Sequence, residues 1–220
     1  MAQLLKRQKK TLLKKKLSLE QYKIIRKEVQ TLLIIMVDVD CVLNNLQDAV
    51  IKVFNERYGT SYTINDFPHF NVSECLNKND ALNFDALYTE NGIYNHVSPL
   101  SGAQNALGKL KKQGHDIYIV TDAAPNMFEE KVAWMKFYFP MVDESHIISM
   151  KHKWLFKCDV MIDDNLDNLL GGYHYERICF DWPWNRVIRD EVYGIHRAKN
   201  WNDVLNTVNK INQKWSDVAV

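Results

Sequence analysis

Short unbroken apolar runs alternate along this chain with segments whose apolar residues recur every three or four positions. The run Leu32-Leu33-Ile34-Ile35-Met36-Val37 offers no polar side chain to water, so it predicts a strand over 32–39, buried on both faces. A helix is expected over 44–58, ending at Gly59, and another over 103–113, ending at Gly114. The alternation Asp116-Ile117-Tyr118-Ile119-Val120 predicts a second strand running into Thr121, and a helix over 126–138 follows, stopped by Pro140. Short strands are expected near His146-Ile147-Ile148, Val160-Met161-Ile162 and Arg177-Ile178-Cys179-Phe180. A late segment around Gly194-Ile195-His196 precedes a final helix from about Asn200. Residues 60–98 carry no strong strand pattern and include a polar, helical stretch. Strands that alternate with helices predict an α/β fold with a parallel sheet covered on both faces.

The first thirty residues read differently. Ser18 and Gln21 have the spacing of a capping box, and Leu19, Tyr22, Ile25 and Val29 recur at helical spacing. This stretch holds ten basic and two acidic side chains, so the overall charge of +1 divides into a basic arm of +8 and an acidic body of −7. The arm can be a solvated helix docked by its apolar side, or a contact for nucleic acid or another anionic surface. A chain of 220 residues at 46% hydrophobic composition is long enough for one sizeable domain with a small insert. Cys41, Cys75, Cys158 and Cys179 form no CxxC pair, which predicts free thiols, a reducing compartment and no zinc site. No apolar run is long enough to span a membrane, and the Lys-rich start lacks a signal-peptide core; a cytoplasmic location is expected.

Carboxylates mark the strand ends. Asp38 and Asp40 follow the first apolar run and, two residues apart on a strand, share one face. Asp163-Asp164 follows Val160-Met161-Ile162, and adjacent carboxylates there repel unless a cation or donors offset them. In a parallel sheet these groups and Thr121 converge on the carboxyl edge, where ligands of such sheets bind. An acidic pair in that place binds a cation, carries acid–base or nucleophilic chemistry, or both. Lys153 taken alone reads as a solvated lysine.

Taken in order, Asp38-Val39-Asp40-Cys41-Val42-Leu43, Val120-Thr121, Lys153 ten residues before Asp163, and Met161-Ile162-Asp163-Asp164 resemble the four motifs of haloacid dehalogenase phosphatases. The resemblance is closer to the 5′(3′)-deoxyribonucleotidases, the cytosolic and mitochondrial pyrimidine type with phage and bacterial relatives. Ser98-Pro99-Leu100-Ser101-Gly102-Ala103, Glu130-Lys131-Val132-Ala133-Trp134 and Phe180-Asp181-Trp182-Pro183-Trp184-Asn185-Arg186 are similar to further segments of that family. It covers about residues 33–210. The resemblance implies a Rossmann-like core at 32–44 and 99–220, a helical cap at 45–98, and the arm 1–31 outside both. It implies a magnesium-dependent phosphatase of nucleoside monophosphates, deoxypyrimidine 5′-monophosphates foremost, working through an aspartyl-phosphate. Asp38 would be the nucleophile, Asp40 the acid–base, and Thr121 and Lys153 the phosphate partners. Asp38, the Asp40 carbonyl, Asp163 and Asp164 would hold Mg²⁺, with the share of the last two left open. Leu46, Phe70, Asn71, Val72, Thr121, Asp122 and Lys153 would contact the substrate. A homodimer is left open.

The chain departs from the family pattern at several points. Cys41 replaces Gly, Asn45 replaces Asp, Leu46 replaces Phe, Asn71 replaces Trp, and Asp122 stands where Ser is frequent. All but Cys41, a position that mainly presents its backbone N–H, fall on expected substrate contacts, so they bear on the substrate more than on the reaction. Two alternatives follow: a phosphatase for another phosphoester, such as a polynucleotide end or a sugar phosphate, or a weakly active nucleotide-binding relative.

Overall fold

A computed structural model of the chain describes residues 32–218; the helix expected in the arm lies outside them. Six strands form one all-parallel sheet in the order β3-β2-β1-β4-β5-β6. They are β1 (Ile34–Val37), β2 (Asp116–Thr121), β3 (Ile147–Ser149), β4 (Val160–Asp163), β5 (Glu176–Phe180) and β6 (Ile195–Ala198). Every strand predicted from the sequence is present, with ends moved by one or two residues. The largest change is at β1, which spans only Ile34–Val37 within the expected 32–39. The ladder ends there because the chain turns after Asp38: Leu43 N and Asn44 N both donate to the Val39 carbonyl.

The central position of β1, between β2 and β4, explains its unbroken apolar character. Ile35, Met36 and Val37 are wholly buried, as are Val120 on β2 and Met161 and Ile162 on β4. A strand covered on both faces has no polar position.

Between β1 and the return to the sheet the chain is helical: α1 (Leu46–Tyr58), α2 (Lys78–Leu87), and single turns at Ile64–Asp66, Val72–Glu74 and Ile93–His96. This insert has its own aromatic core, in which the Phe84 ring lies 5.2 Å from Phe54 and 4.9 Å from Phe67. Gly59 closes α1 at φ 66°, a left-handed conformation that a side chain resists. The two ends of the insert are clamped together. Leu100 N donates to Leu43 O at 2.8 Å, and Asn45 accepts from Ser98 N at 2.7 Å while donating its own backbone N–H to Ser98 O at 3.1 Å. Asn45 is therefore part of this stem.

The remaining helices are α3 (Ala103–Lys112), α4 (Pro125–Tyr138), α5 (Leu166–Leu170), α6 (Asp190–Tyr193) and α7 (Trp201–Val218). Pro125 opens α4, where its missing N–H has no partner to lose. Trp201, 1% exposed, ties α7 to the turn after β1 by donating its indole N–H to Val42 O at 2.9 Å. Among the described residues no helix is long and apolar enough to cross a membrane.

Candidate active site

β1, β2 and β4 are neighbours and parallel, so their carboxyl ends meet. Asp38 N donates to Ile162 O at 3.0 Å, which continues the β1–β4 ladder one step and sets Asp38 beside Asp163 and Asp164. The three carboxylates are buried, and one oxygen of each lies within 4.8 Å of the others. Lys153 is buried among them, with Nζ 2.6 Å from Asp38 Oδ1 and 3.0 Å from Asp163 Oδ2. The lysine that reads as solvated from sequence alone is 3% exposed.

The adjacent aspartates have different surroundings. Asp163 accepts from Asn165 N at 2.8 Å, from Asn168 Nδ2 at 3.1 Å and from Lys153. Asp164 accepts at Oδ2 from the Trp184 indole at 2.9 Å. Its backbone carbonyl takes the Asn185 amide at 2.9 Å. Burial, then the neighbouring Asp163 and Asp38, push the Asp164 carboxyl well above the usual range. Burial also raises Asp38; Lys153 opposes this, while Asp163 and Asp40 add to it. The cluster thus carries more negative charge than the lysine within it offsets. A small divalent cation with a preference for hard oxygen ligands fits that donor set.

Asp40 is only partly buried and stands outside the group formed by the other three carboxylates. Lys131 Nζ lies 2.6 Å from Asp40 Oδ2, and Oδ1 accepts from the Tyr94 hydroxyl and, at 3.1 Å, from Asn44 Nδ2. Burial works to raise its pKa, but Lys131, Tyr94 and Asn44 together outweigh that and hold it below the usual carboxylate value. Asn44, wholly buried, also accepts from Cys41 N and Leu46 N, both at 3.1 Å, and so fixes the turn carrying Asp40. Within that turn Cys41 has φ 59°, which makes it the one non-glycine residue at positive φ among those described. Its carbonyl accepts from the Trp182 indole at 2.6 Å, and Trp182 stacks on Trp184 at 5.2 Å and 7°.

Two cavities adjoin these groups. One of about 340 Å³ is lined by Asp38, Asp40, Thr121, Lys153, Asp164 and Phe70. The other, about 600 Å³, lies between the insert and the sheet edge and includes Asp40, Leu46, Phe70, Asn71, Val72 and Asp122. The predicted site residues are therefore brought together. Phe70 is 60% exposed and borders both cavities, whereas Leu46 and Val72 are buried wall. Asn71 Oδ1 is occupied locally, accepting from Ser73 N at 3.1 Å and Ser73 Oγ at 2.8 Å.

Lys131 stands in the sequence only as part of a family-like segment, with no role expected for it. It is 4% exposed and donates to Thr121 Oγ1 at 2.9 Å and to Asp122 O at 2.8 Å as well as to Asp40. Its signal was positional: Met127, Lys131, Trp134 and Met135 fall on one face of α4, and the other three are buried apolar residues. Trp184 stands in the sequence only within the family-like segment 180–186, and Asn168 left no trace.

Residues 32–214 match the family model described as 5′ nucleotidase, deoxy (Pyrimidine), cytosolic type C protein. The 5′(3′)-deoxyribonucleotidase of Bacillus subtilis is 25% identical over 173 residues, which cover 78% of this chain and 95% of that one. A Staphylococcus epidermidis protein is 28% identical over 179 residues, 80% of this chain and 96% of its own. Among solved structures, a haloacid dehalogenase-like hydrolase from Streptococcus pneumoniae has a TM-score of 0.58 at 14% identity, over 80% of this chain and 98% of its own. A family hydrolase from Deinococcus radiodurans, solved with phosphate and sodium, has a TM-score of 0.52 at 12% identity, over 81% and 96%. These two likenesses are of fold.

Proposed function

Because the chain belongs to the cytosolic type C deoxy(pyrimidine) 5′-nucleotidase family, phosphoric monoester hydrolases of the haloacid dehalogenase superfamily, we propose that it hydrolyses nucleoside monophosphates, deoxypyrimidine 5′-monophosphates foremost, with Mg²⁺. The observation that carries this reading is the buried cluster of Asp38, Asp163 and Asp164 around Lys153, with Asp40 beside it and two cavities opening from it.

Asp38 attacks phosphorus; the bond to the ester oxygen breaks and the phosphoryl group passes to the carboxylate. Lys153 offsets the charge of both anions as they approach. Thr121 Oγ1 already accepts from Lys131, so its hydroxyl proton is left to donate to a phosphate oxygen. Asp40 exchanges the proton: it gives one to the departing alcohol and takes one from the water that cleaves the aspartyl-phosphate. It is ionised in the free protein. A phosphate dianion between Asp38 and Lys153 raises its proton affinity, as any nearby negative charge does.

Asp38, the Asp40 carbonyl and Asp164 would hold the Mg²⁺, and Asp163, with both oxygens occupied by Lys153, Asn165 and Asn168, would orient rather than ligate. When bound, the ion supplies the positive charge that lets carboxylates and a phosphate share one site. The helical insert 45–98 acts as a cap that excludes water and contacts the leaving nucleoside, with Phe70 against the base. The free thiols fit a reducing, cytoplasmic setting.

The test is phosphate release by the purified protein over a panel of nucleoside monophosphates with Mg²⁺. Turnover is expected for deoxypyrimidine nucleotides and to fall by about 10³-fold or more in Asp38→Asn. An Asp38→Asn variant as active as the wild type would remove the mechanism.

A further inference from the structure

The larger cavity has a buried polar group that the reaction at Asp38 does not use. Gln47 lies in the first turn of α1, on the cavity wall, and is only 7% exposed. Its Oε1 accepts from the Tyr88 hydroxyl, which fixes the amide. None of the described residues accepts from its Nε2. The nitrogen is not among the fully buried unpaired atoms, so this oriented donor stays open to the cavity, where an acceptor on a ligand can meet it. The other buried amides nearby are used: Asn44 on Asp40, Cys41 and Leu46, and Asn168 on Asp163. Most of the cavity wall is apolar, with Leu46, Phe67, Val72 and Met127, and its polar groups include Asp85 and Asp122. An apolar pocket with few oriented polar groups is how small-molecule sites fix the pose of a ligand.

We propose that Gln47, held by Tyr88, is a specificity-determining residue that donates its Nε2 hydrogens to an acceptor on the leaving nucleoside, either an atom of the base or a hydroxyl of the sugar. The assignment rests on the nucleotidase reading above. Because the Tyr88 proton is committed to Gln47, the Tyr88 oxygen is left to accept. A donor beside an acceptor complements the –CO–NH– edge of uracil, thymine or guanine. With Nε2 facing the exocyclic position it opposes the amino group of cytosine or adenine, whose edge carries the donor and acceptor in the reverse order.

The experiment measures kcat/KM for deoxyuridine, deoxycytidine and uridine 5′-monophosphates and for p-nitrophenyl phosphate, in the wild type, Gln47→Leu and Gln47→Glu. Gln47→Leu should lower the ratio of nucleotide to p-nitrophenyl phosphate about tenfold, the scale set by one lost hydrogen bond in a polar-reading site. Gln47→Glu exchanges the donors for an acceptor. If the base is read, deoxycytidine monophosphate gains on deoxyuridine monophosphate; if the sugar is read, the ratio of ribo- to deoxynucleotide moves instead. Either shift supports the assignment. Each readout is a ratio within one variant, so a partial loss of folded protein does not imitate it. Ratios within twofold of the wild type in both variants, with nucleotides still turned over, overturn the role of Gln47 alone. A wild type that cleaves p-nitrophenyl phosphate and no nucleotide overturns the nucleotidase reading, and this one with it.

Discussion

A single lysine joins the two reacting strands. Lys131 reaches from α4 to Asp40 at the end of β1 and to Thr121 at the end of β2. Lys131→Met keeps the length and apolar stem and removes the charge, leaving Asp40 and Thr121 without their shared partner. We expect kcat to fall by about 10²- to 10³-fold, the scale for removing one preorganised electrostatic contact, with substrate affinity changed less; steady-state kinetics measure both. At this scale the sequence was legible where a residue type is unusual for its surroundings. Asp38 and Asp40 stood out because they end an apolar strand, and Asp163-Asp164 because paired carboxylates there need an offset. Lys153 stood out only through its family spacing before Asp163, and Lys131 had no expected role, since a lysine is ordinarily solvated and only the packed fold shows that these two are buried. Gln47 was hidden for the same reason.

Elements were legible where they were long or wholly apolar. β1, β2 and β4 and the helices α1, α3 and α4 follow from periodicity. The turn of helix Leu166–Leu170 is too short to show one, although Asn165 caps it, accepting from Asp167 N at 2.8 Å, and it delivers Asn168 to Asp163. Sheet order is beyond a sequence reading, because side-chain alternation is blind to which neighbour a strand takes. The edge strand β6 shows what the order achieves. Arg197 forks onto Asp190 at 2.7 and 2.8 Å, reaches Asp181 at 3.0 Å, and holds Asn185 at 2.6 Å, the residue whose amide meets the Asp164 carbonyl. Arg197→Met strands the partly buried Asp190 and leaves Asp181 to Arg186 alone, and we expect a loss of about 2–3 kcal/mol in a denaturant titration. Arg197→Lys should recover less than half of it, because an ammonium cannot make the fork.

Across the whole molecule, the insert and the sheet share one stem, and the sheet is pinned at its amino edge by a buried histidine. His115 Nδ1 accepts from Leu33 N at 3.3 Å, which requires that nitrogen to be unprotonated. Burial lowers the His115 pKa, so the folded protein favours the neutral ring. The unfolded chain binds a proton near pH 6.5. A depressed histidine therefore contributes stability that is complete above about pH 6.5 and declines as the pH falls below it. The melting temperature should drop between about pH 7 and pH 5.5, and the slope should flatten in His115→Gln, which cannot titrate; an unchanged slope would remove this role. The basic arm shows the limit of reading a chain by charge: its net charge of +8 is plain, yet charge alone does not separate a docked helix from a nucleic-acid contact.

The stacked indoles described at the site make the protein its own optical gauge. Two nearly parallel rings 5.2 Å apart couple their electronic transitions, and one of them, Trp184, has its N–H on the carboxylate of Asp164. A divalent cation arriving at that carboxylate changes the field across the indole. Mg²⁺ titration should therefore shift the near-ultraviolet circular dichroism and the tryptophan emission along one saturation curve. Both changes should vanish in Asp164→Asn, and Trp184→Phe should mark which of the tryptophans carries them. Cation occupancy would then be read by light alone, before any nucleotide is added.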